Sequence, residues 1–162
     1  MITSKQVADI MNEITESFII DPSVKYADNK VIFSEENKIY FGDSFFNIVY
    51  GYMAVFFNNP HVTITSAHDG SHSMNSTHYT GKAIDLRIND LVVKYLDLEI
   101  GSTGWPDAVC NCFYTIARNM PEYVFIVHPY TNYHVHIQHG RDNLKNPTGG
   151  SGIYKNFFIS NK

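Results

Sequence analysis

The chain has 162 residues, of which 44% are hydrophobic and 17% charged, and its formal net charge is −4. Such a length suits one domain that buries a core without metal or disulfide staples, so we expect a single domain spanning residues 1–162. No basic stripe stands out along the chain, and the charge pattern therefore gives no reason to expect a nucleic-acid partner.

The first residues do not have the pattern expected of a secretion signal. The segment "MITSKQVADIMNEITESFII" lacks a basic start followed by an unbroken apolar run, which argues against a secretion signal. No stretch approaches the roughly 18 consecutive apolar residues that a membrane span needs. The sequence thus predicts a soluble protein without a signal peptide. If the protein acts outside its cell of origin, another factor must release it.

The N-terminal part of the chain, 1–60, predicts a helix, a hairpin and a second helix. Residues 4–19 have apolar positions at helical spacing, and Thr3 and Gln6 could form a capping box at their start. The segment 30–44 contains two short β-rich runs around the polar stretch "EENK", which favours a hairpin. The aromatic-rich segment that follows predicts a buried helix closed by "NNP", with a strand as the alternative.

The rest of the chain predicts four strands, one helix and a tail. In chain order these are strands at 61–66 and 82–88, a helix at 107–119, strands at 123–128 and 133–138, and a tail at 141–162. A Gly- and Ser-rich loop separates the first two strands, and an aromatic run at the end of the tail should pack back on the domain. Hairpins beside helices predict an α+β fold, with a small antiparallel sheet and flanking helices.

The two cysteines, Cys110 and Cys112, lie two positions apart within the predicted helix. Side chains at this spacing diverge on a helix, which argues against a mutual disulfide and against a shared metal ion. We expect both to be small, buried apolar residues.

The stretch "HVH" places two histidines on one side of a predicted strand. Because side chains alternate along a strand, His134 and His136 project together while Val135 and Ile137 point to the core. Two neighbouring neutral imidazoles suit Zn²⁺ well. An isolated pair of this kind is also typical of an exposed polar strand face.

A second polar pair, His78 and Asp85, strengthens the interpretation as a metal site. Gly81 lies between them, at a turn that a side chain would obstruct. Ala83 shares a strand face with Asp85 and is small enough to leave space beside the carboxylate. An Asp in an apolar strand is unfavourable unless it is paired or binds a metal. Two imidazoles and one carboxylate, with a fourth position left for water, have the composition of a catalytic zinc site.

These motifs resemble a known family. "STHYTGKAID" at 76–85, the upstream "TSAHDGSHS" and the later "HVH" are similar to zinc peptidases of the D-Ala-D-Ala carboxypeptidase and hedgehog-like group, which includes phage endolysins. The resemblance covers residues 62–138. It implies the fold of that group and one Zn²⁺ held by His78, Asp85 and His136. It also implies that His134 acts beside the metal as a base or polarising group.

One departure from the family pattern concerns the catalytic base. Many members carry a glutamate shortly before the last ligand, whereas here Val127 or its neighbour stands in that place and Glu122 lies too far upstream. Three alternatives follow. His134 acts as the base with His128 as helper, which we favour; His128 replaces the glutamate; or activity is lost while the metal is retained.

Three further residues could bind substrate. His72 could line the cleft, with a solvated loop residue as the alternative, and Tyr133 could stabilise an oxyanion or simply pack. His68 occupies the position where several carboxypeptidase members place an arginine that binds the substrate carboxylate. Its presence there favours an endopeptidase over a carboxypeptidase.

The resemblance implies a zinc metallopeptidase that cleaves D-residue-containing peptides in the stems or cross-bridges of bacterial peptidoglycan. A bacteriophage lysis or virion-associated enzyme would suit the composition, with other virion or lysis proteins as partners and the virion or the host cytoplasm before lysis as its location. The alternatives are a non-catalytic module of the same fold that zinc stabilises, and a metal-free binding domain.

Overall fold

The computed structural model describes residues 3–9, 24–70, 72, 74–144 and 156–161. A six-stranded sheet runs through these residues in the order β1-β2-β3-β5-β4-β6. The strands are Val24–Tyr26 (β1), Val62–Ser66 (β2), Ala83–Arg87 (β3), Tyr123–His128 (β4), His134–His139 (β5) and Phe157–Ile159 (β6). The helices with described bounds are Glu35–Tyr40 (α1), Asp43–Phe56 (α2) and Trp105–Asn119 (α3), together with a 3₁₀ helix at Thr77–Thr80. The fold class is α+β, as the sequence predicts.

The sheet is mixed, so the expectation of an antiparallel sheet is right for its centre and wrong for its edges. The pairs β2–β3, β3–β5 and β5–β4 are antiparallel, whereas β1 runs parallel to β2 and β6 parallel to β4. The helices α1 and α2 separate β1 from β2, which gives the chain room for a parallel crossover. At the other edge β5 ends beside the start of β4, so a strand that enters from that end runs parallel to β4.

The predicted hairpin at 30–44 is wrong, because its polar centre is the helix α1. Ser34 caps this helix: its Oγ accepts a hydrogen bond from the Asn37 backbone N–H at 3.3 Å, and the Asn37 Oδ1 accepts one from the Ser34 N–H at 2.9 Å. Glu35 and Glu36 lie in the first turn, where carboxylates complement the helix dipole. A reciprocal cap followed by acidic residues therefore favours one helical turn over a hairpin turn.

The N-terminal cap that the sequence predicts is present. The Thr3 N–H donates to the Gln6 Oε1 at 2.8 Å, and the Gln6 N–H donates to the Thr3 Oγ1 at 3.1 Å. Residues 4–9 are helical. The remainder of the helix predicted at 4–19 lies outside the described residues.

The two faces of the central sheet differ in character. On one face Ile84, Leu86, Val135 and Ile137 are buried in a hydrophobic cluster shared with α2 and α3. The opposite face carries the polar residues of the predicted site. The alternation predicted for these strands is therefore confirmed. The helix predicted for the aromatic-rich segment before "NNP" is also confirmed, at Asp43–Phe56, as is the one predicted at 107–119, at Trp105–Asn119.

Both cysteines and the described end of the tail are placed as the sequence predicts. Cys110 and Cys112 are buried free thiols on α3. Phe157 of β6 is buried in the core cluster, so the aromatic run of the tail packs back on the sheet. Within the described ranges, no helix combines the length and the apolar character needed to cross a bilayer.

Candidate metal centre

The polar face of the three central strands forms a regular array of side chains. Asp85 on β3, His136 on β5 and Ile126 on β4 lie opposite one another in one row. His134 and His128 lie opposite each other in the next row. Side chains of one row lie on neighbouring strands, so the register alone brings Asp85 and His136 together.

The 3₁₀ helix after β2 brings His78 to the same place. Ser76 precedes this helix, and its Oγ accepts a hydrogen bond from the His78 N–H at 3.3 Å. Gly81 ends the helix in a left-handed conformation with φ of 74°, where a Cβ atom would lie 2.5 Å from the Glu36 Cβ. The Asn37 Nδ2 donates to the Gly81 carbonyl at 2.8 Å, which ties α1 to this turn. The expectation that a side chain at 81 would obstruct the turn is confirmed.

The three predicted ligands converge. The Asp85 Oδ1 lies 3.3 Å from the His78 Nε2 and 3.0 Å from the His136 Nδ1. One ligand atom from each residue lies within 4.8 Å of the other two. This group could hold a metal ion, and the donor set of two imidazole nitrogens and one carboxylate oxygen fits zinc chemistry.

The surrounding residues fix the orientation of the His78 ring. The His78 Nδ1 lies 2.7 Å from the Ala67 carbonyl oxygen, which can only accept, so this nitrogen carries the proton. The neutral ring therefore has its lone pair on the Nε2 atom, which is the atom that could bind a metal. His72 stacks on the His78 ring, with 3.9 Å between centroids and 3° between planes, and its own Nε2 lies 2.7 Å from the Asp69 carbonyl oxygen.

Asp85 and His78 perturb each other's protonation. Burial favours the neutral carboxyl, but hydrogen bonds and charge from His136 and His78 outweigh it and hold the pKa of Asp85 far below its usual range. Burial also opposes the charged form of His78. The hydrogen bond and charge of Asp85, helped by the Ala67 carbonyl, overcome that effect and raise the pKa of His78. The site therefore favours an ionised carboxylate flanked by protons, which a divalent cation can replace.

An open cavity of about 380 Å³ lies over these ligands. His134 and His128 form part of its wall, and their rings are stacked. The His134 Nδ1 lies 3.1 Å from the Asn132 carbonyl oxygen. The other lining residues are His72, Met74, Asn75, Ser76, Thr77, His78, Asp85, Ile126, His136, Gln138, Asn143 and Leu144.

The structure places two of the three predicted substrate contacts outside this lining. The His68 Nδ1 lies 2.8 Å from the Ser34 Oγ, and its Nε2 lies 3.1 Å from the Tyr79 carbonyl oxygen. Tyr133 packs against the core beside Trp105, with 6.0 Å between the ring centroids. Of the three, His72 alone lines the cavity.

The sequence interpretation missed Gln138, which contacts a predicted ligand. This side chain is 3% exposed, and its Oε1 lies 3.0 Å from the His136 Nε2. The signal was present, because the alternation that aligns His134 with His136 puts Gln138 on the same strand face. Asn143 and Leu144 also line the cavity, but they follow the strand and no periodicity indicates them.

Neither a family model, nor a curated protein, nor a solved structure matches the chain. Function is therefore inferred from the motif and from the geometry of the centre. Both depend on residues that lie far apart in sequence, namely 76–85 and 134–138.

Proposed function

We propose that the protein is a zinc-dependent peptidase that hydrolyses peptide bonds in bacterial peptidoglycan. Its substrates would be stem or cross-bridge peptides that contain D-amino acids, and internal bonds are favoured over the terminal one. The observation that carries this proposal is the convergence of His78, Asp85 and His136 beneath an open cavity whose wall contains His134 and His128.

The three ligands suit a catalytic centre better than a purely structural one. Structural zinc sites are usually closed by four protein ligands, mostly Cys and His, whereas catalytic sites use three and keep one position open. Both cysteines lie on α3 and take no part. When bound in such a site, zinc acidifies a coordinated water and polarises a carbonyl group, which is the chemistry that peptide hydrolysis requires.

His134 is the favoured proton acceptor. Its Nδ1 lies 3.1 Å from the Asn132 carbonyl oxygen, so this nitrogen carries the proton of the neutral ring and the Nε2 keeps its lone pair. A ring held in this tautomer can take a proton from the attacking water at its Nε2 and later deliver it to the departing amine. His128 supports it by stacking on its ring.

The absence of a lysine or arginine from the described cavity lining favours cleavage of internal bonds. A carboxypeptidase needs a cation or equivalent donors for the terminal carboxylate of its substrate. His68, which occupies the corresponding sequence position, is bonded to Ser34 and to the Tyr79 carbonyl. A substrate that continues through the open cavity requires no such cation.

An endopeptidase of a phage, acting as an endolysin or as a virion-associated lysin with other virion or lysis proteins, fits this proposal.

Digestion of purified peptidoglycan, with mass analysis of the fragments, tests the proposal. We expect new peptide termini in the native digest and none after chelation, with recovery when Zn²⁺ is returned. The released termini identify the bond. Fragments that form equally well in the presence of the chelator would reject a zinc peptidase.

One observation favours a second candidate, a non-catalytic module that zinc stabilises. Of the described residues that line the cavity, Asp85 is the only carboxylate. Ile126 lies opposite His136, at a position where a carboxylate could have acted as the general base. Such a module would bind one zinc ion and melt at a lower temperature without it. It would release no peptidoglycan fragment at any pH, which distinguishes it from the enzyme.

A further inference from the structure

We propose that Gln138 is a positioning residue of the metal centre, whose amide selects the nitrogen through which His136 binds the metal. This inference rests on the metal ligation assigned under the proposed function. It concerns the tautomer and the orientation of one ring, and it holds whether the centre is catalytic or structural.

The Gln138 amide can take only one orientation. Its Nε2 lies 3.0 Å from the Gly140 carbonyl oxygen and 3.1 Å from the Asp142 carbonyl oxygen. Both partners can only accept, so the NH₂ end of the amide must face them. The side chain is 3% exposed, and a reversed amide would leave its oxygen buried against two other oxygens.

The opposite end of the amide then determines which nitrogen of the neutral His136 ring carries the proton. The Gln138 Oε1 lies 3.0 Å from the His136 Nε2 and 3.3 Å from the Thr77 Oγ1. An amide oxygen can only accept, so the His136 Nε2 must donate. A ring that binds a metal is neutral and has a single N–H, so the Nδ1, 3.0 Å from the Asp85 Oδ1, is the atom that offers its lone pair once the metal has displaced the proton shared with Asp85.

The sheet provides the space for this contact. Gln138 lies opposite Ala83 on β3, whose methyl side chain leaves room on that face. Gly140 follows β5 in a left-handed conformation with φ of 77°. The backbone turns there, and the carbonyls of Gly140 and Asp142 both reach the Gln138 amide. The hydrogen bond between Gln138 and Thr77 also links Gln138 to the segment that carries the ligand His78, because Thr77 immediately precedes His78.

A purely packing role would be satisfied by an apolar side chain of the same length, and this gives the first variant. Gln138→Met retains the volume and removes both ends of the amide. We expect its Zn²⁺ affinity, measured by competition with a chromophoric chelator, to fall about 10–100-fold, the usual range for loss of an outer-shell partner. Gln138→Glu retains an acceptor for the His136 Nε2 but turns a carboxylate oxygen toward the two carbonyls. It should bind Zn²⁺ more tightly than Gln138→Met and yet unfold more easily.

Asn156 offers a matched control. Its Nδ2 donates to the carbonyls of Ala117, Met120 and Tyr123 at 2.8, 3.2 and 3.0 Å. Asn156→Leu thus removes a similar amide from a place that does not touch the metal centre. We expect a lower unfolding midpoint for this variant with an unchanged Zn²⁺ affinity.

The deciding readout is the ¹⁵N NMR spectrum of the histidine rings in Zn²⁺-loaded protein. Native protein should show His136 bound through Nδ1 with a proton on Nε2, and Gln138→Met should show a mixture of Nδ1 and Nε2 ligation. Coordination through Nε2 in the native protein, or a Gln138→Met variant with native affinity and a native spectrum, would overturn the inference and leave the metal centre intact. Native protein that binds no Zn²⁺ would instead reject the proposed function together with this inference.

Discussion

His128 and His134 lie opposite each other on β4 and β5 with their rings stacked, 4.1 Å between centroids and 13° between planes. Both rings belong to the cavity wall. The His134 Nδ1 is directed to the Asn132 carbonyl, so the ring is held both by its face and by one edge. In the proposed enzyme, a base held in this manner would lose little conformational freedom when it accepts a proton, which is what preorganised catalysis requires.

The first prediction follows from this arrangement. His134→Ala should lower the rate of peptidoglycan cleavage by about 10²–10⁴-fold, the usual contribution of a general base, while the zinc stoichiometry stays near one. Fragment release and elemental analysis of the same preparation measure the two quantities. Native activity in this variant would contradict the assigned role of His134.

The second prediction separates stacking from proton transfer at His128. His128→Phe retains a planar ring against His134 and removes the ionisable group. If His128 only positions His134, this variant should retain most of the native rate and His128→Ala should lose more of it. Equal losses in the two variants would show that the imidazole itself takes part.

The third prediction concerns Gly81. Gly81→Ala forces a Cβ into a left-handed backbone and to within 2.5 Å of the Glu36 Cβ. The conformational cost is about 1–2 kcal/mol and overpacking adds about 1–3 kcal/mol, so urea unfolding should show a loss of about 2–5 kcal/mol. The shifted turn should also weaken Zn²⁺ binding, because it carries His78.

Gly140→Ala is the matched control for this substitution. Gly140 has the same left-handed conformation, with φ of 77°, but an added Cβ there meets nothing within 4 Å. Its loss of stability should be only the conformational part, about 1–2 kcal/mol. If the two variants lose the same stability, the contact between Gly81 and α1 is not tight.

Individual residues show how much of the fold and of the metal centre can be predicted from the sequence. Period-two alternation predicted that His134 and His136 share one face of their strand and that Ala83 and Asp85 share one face of theirs, because alternation is a local property of the backbone. The same rule could not show that β6 would pair parallel to β4, since strand pairing depends on where distant segments meet. Nor could it show that His68 would be bonded to Ser34, 34 positions away.

The error at 30–44 has a different origin. The β-rich runs on either side of "EENK" favour strands, but the reciprocal bonds between Ser34 and Asn37 stabilise a helical turn. The Asn37 amide is also bonded to the Gly81 carbonyl, so a tertiary contact supports the helix. Local β propensity is a weak signal, and a cap combined with such a contact overrides it.

The fourth prediction concerns the pH dependence of the metal-free protein. The pKa of Asp85 is lowered from 3.8, so its contribution to stability is present above pH 3.8 and is lost as the pH falls further. The pKa of His78 is raised from 6.5, so its contribution is present below pH 6.5 and is lost as the pH rises through the raised value. Unfolding by urea after chelation should therefore show a maximum in stability between these limits.

Replacing His78 by a ring that cannot ionise tests whether His78 causes the loss of stability on the alkaline side of that maximum. His78→Phe retains a flat surface for stacking on His72 and cannot ionise, so the loss of stability above pH 6.5 should become shallower. Zinc should reverse the trend in the native protein, because metal binding requires deprotonated imidazoles and strengthens as the pH rises. An alkaline limb that is unchanged in His78→Phe would show that other groups cause it.

The fifth prediction is that zinc stabilises the native protein through Asp85. Free Zn²⁺ at about 100 times its dissociation constant should raise the free energy of unfolding by about 2.7 kcal/mol, because only the folded state assembles the three ligands. Asp85→Asn removes the charge from between two imidazoles, so its melting temperature should respond little to zinc. Asp90→Asn, at an exposed position three residues beyond the end of β3, serves as the control and should respond as the native protein does. A zinc response that survives in Asp85→Asn would place the metal elsewhere in the molecule.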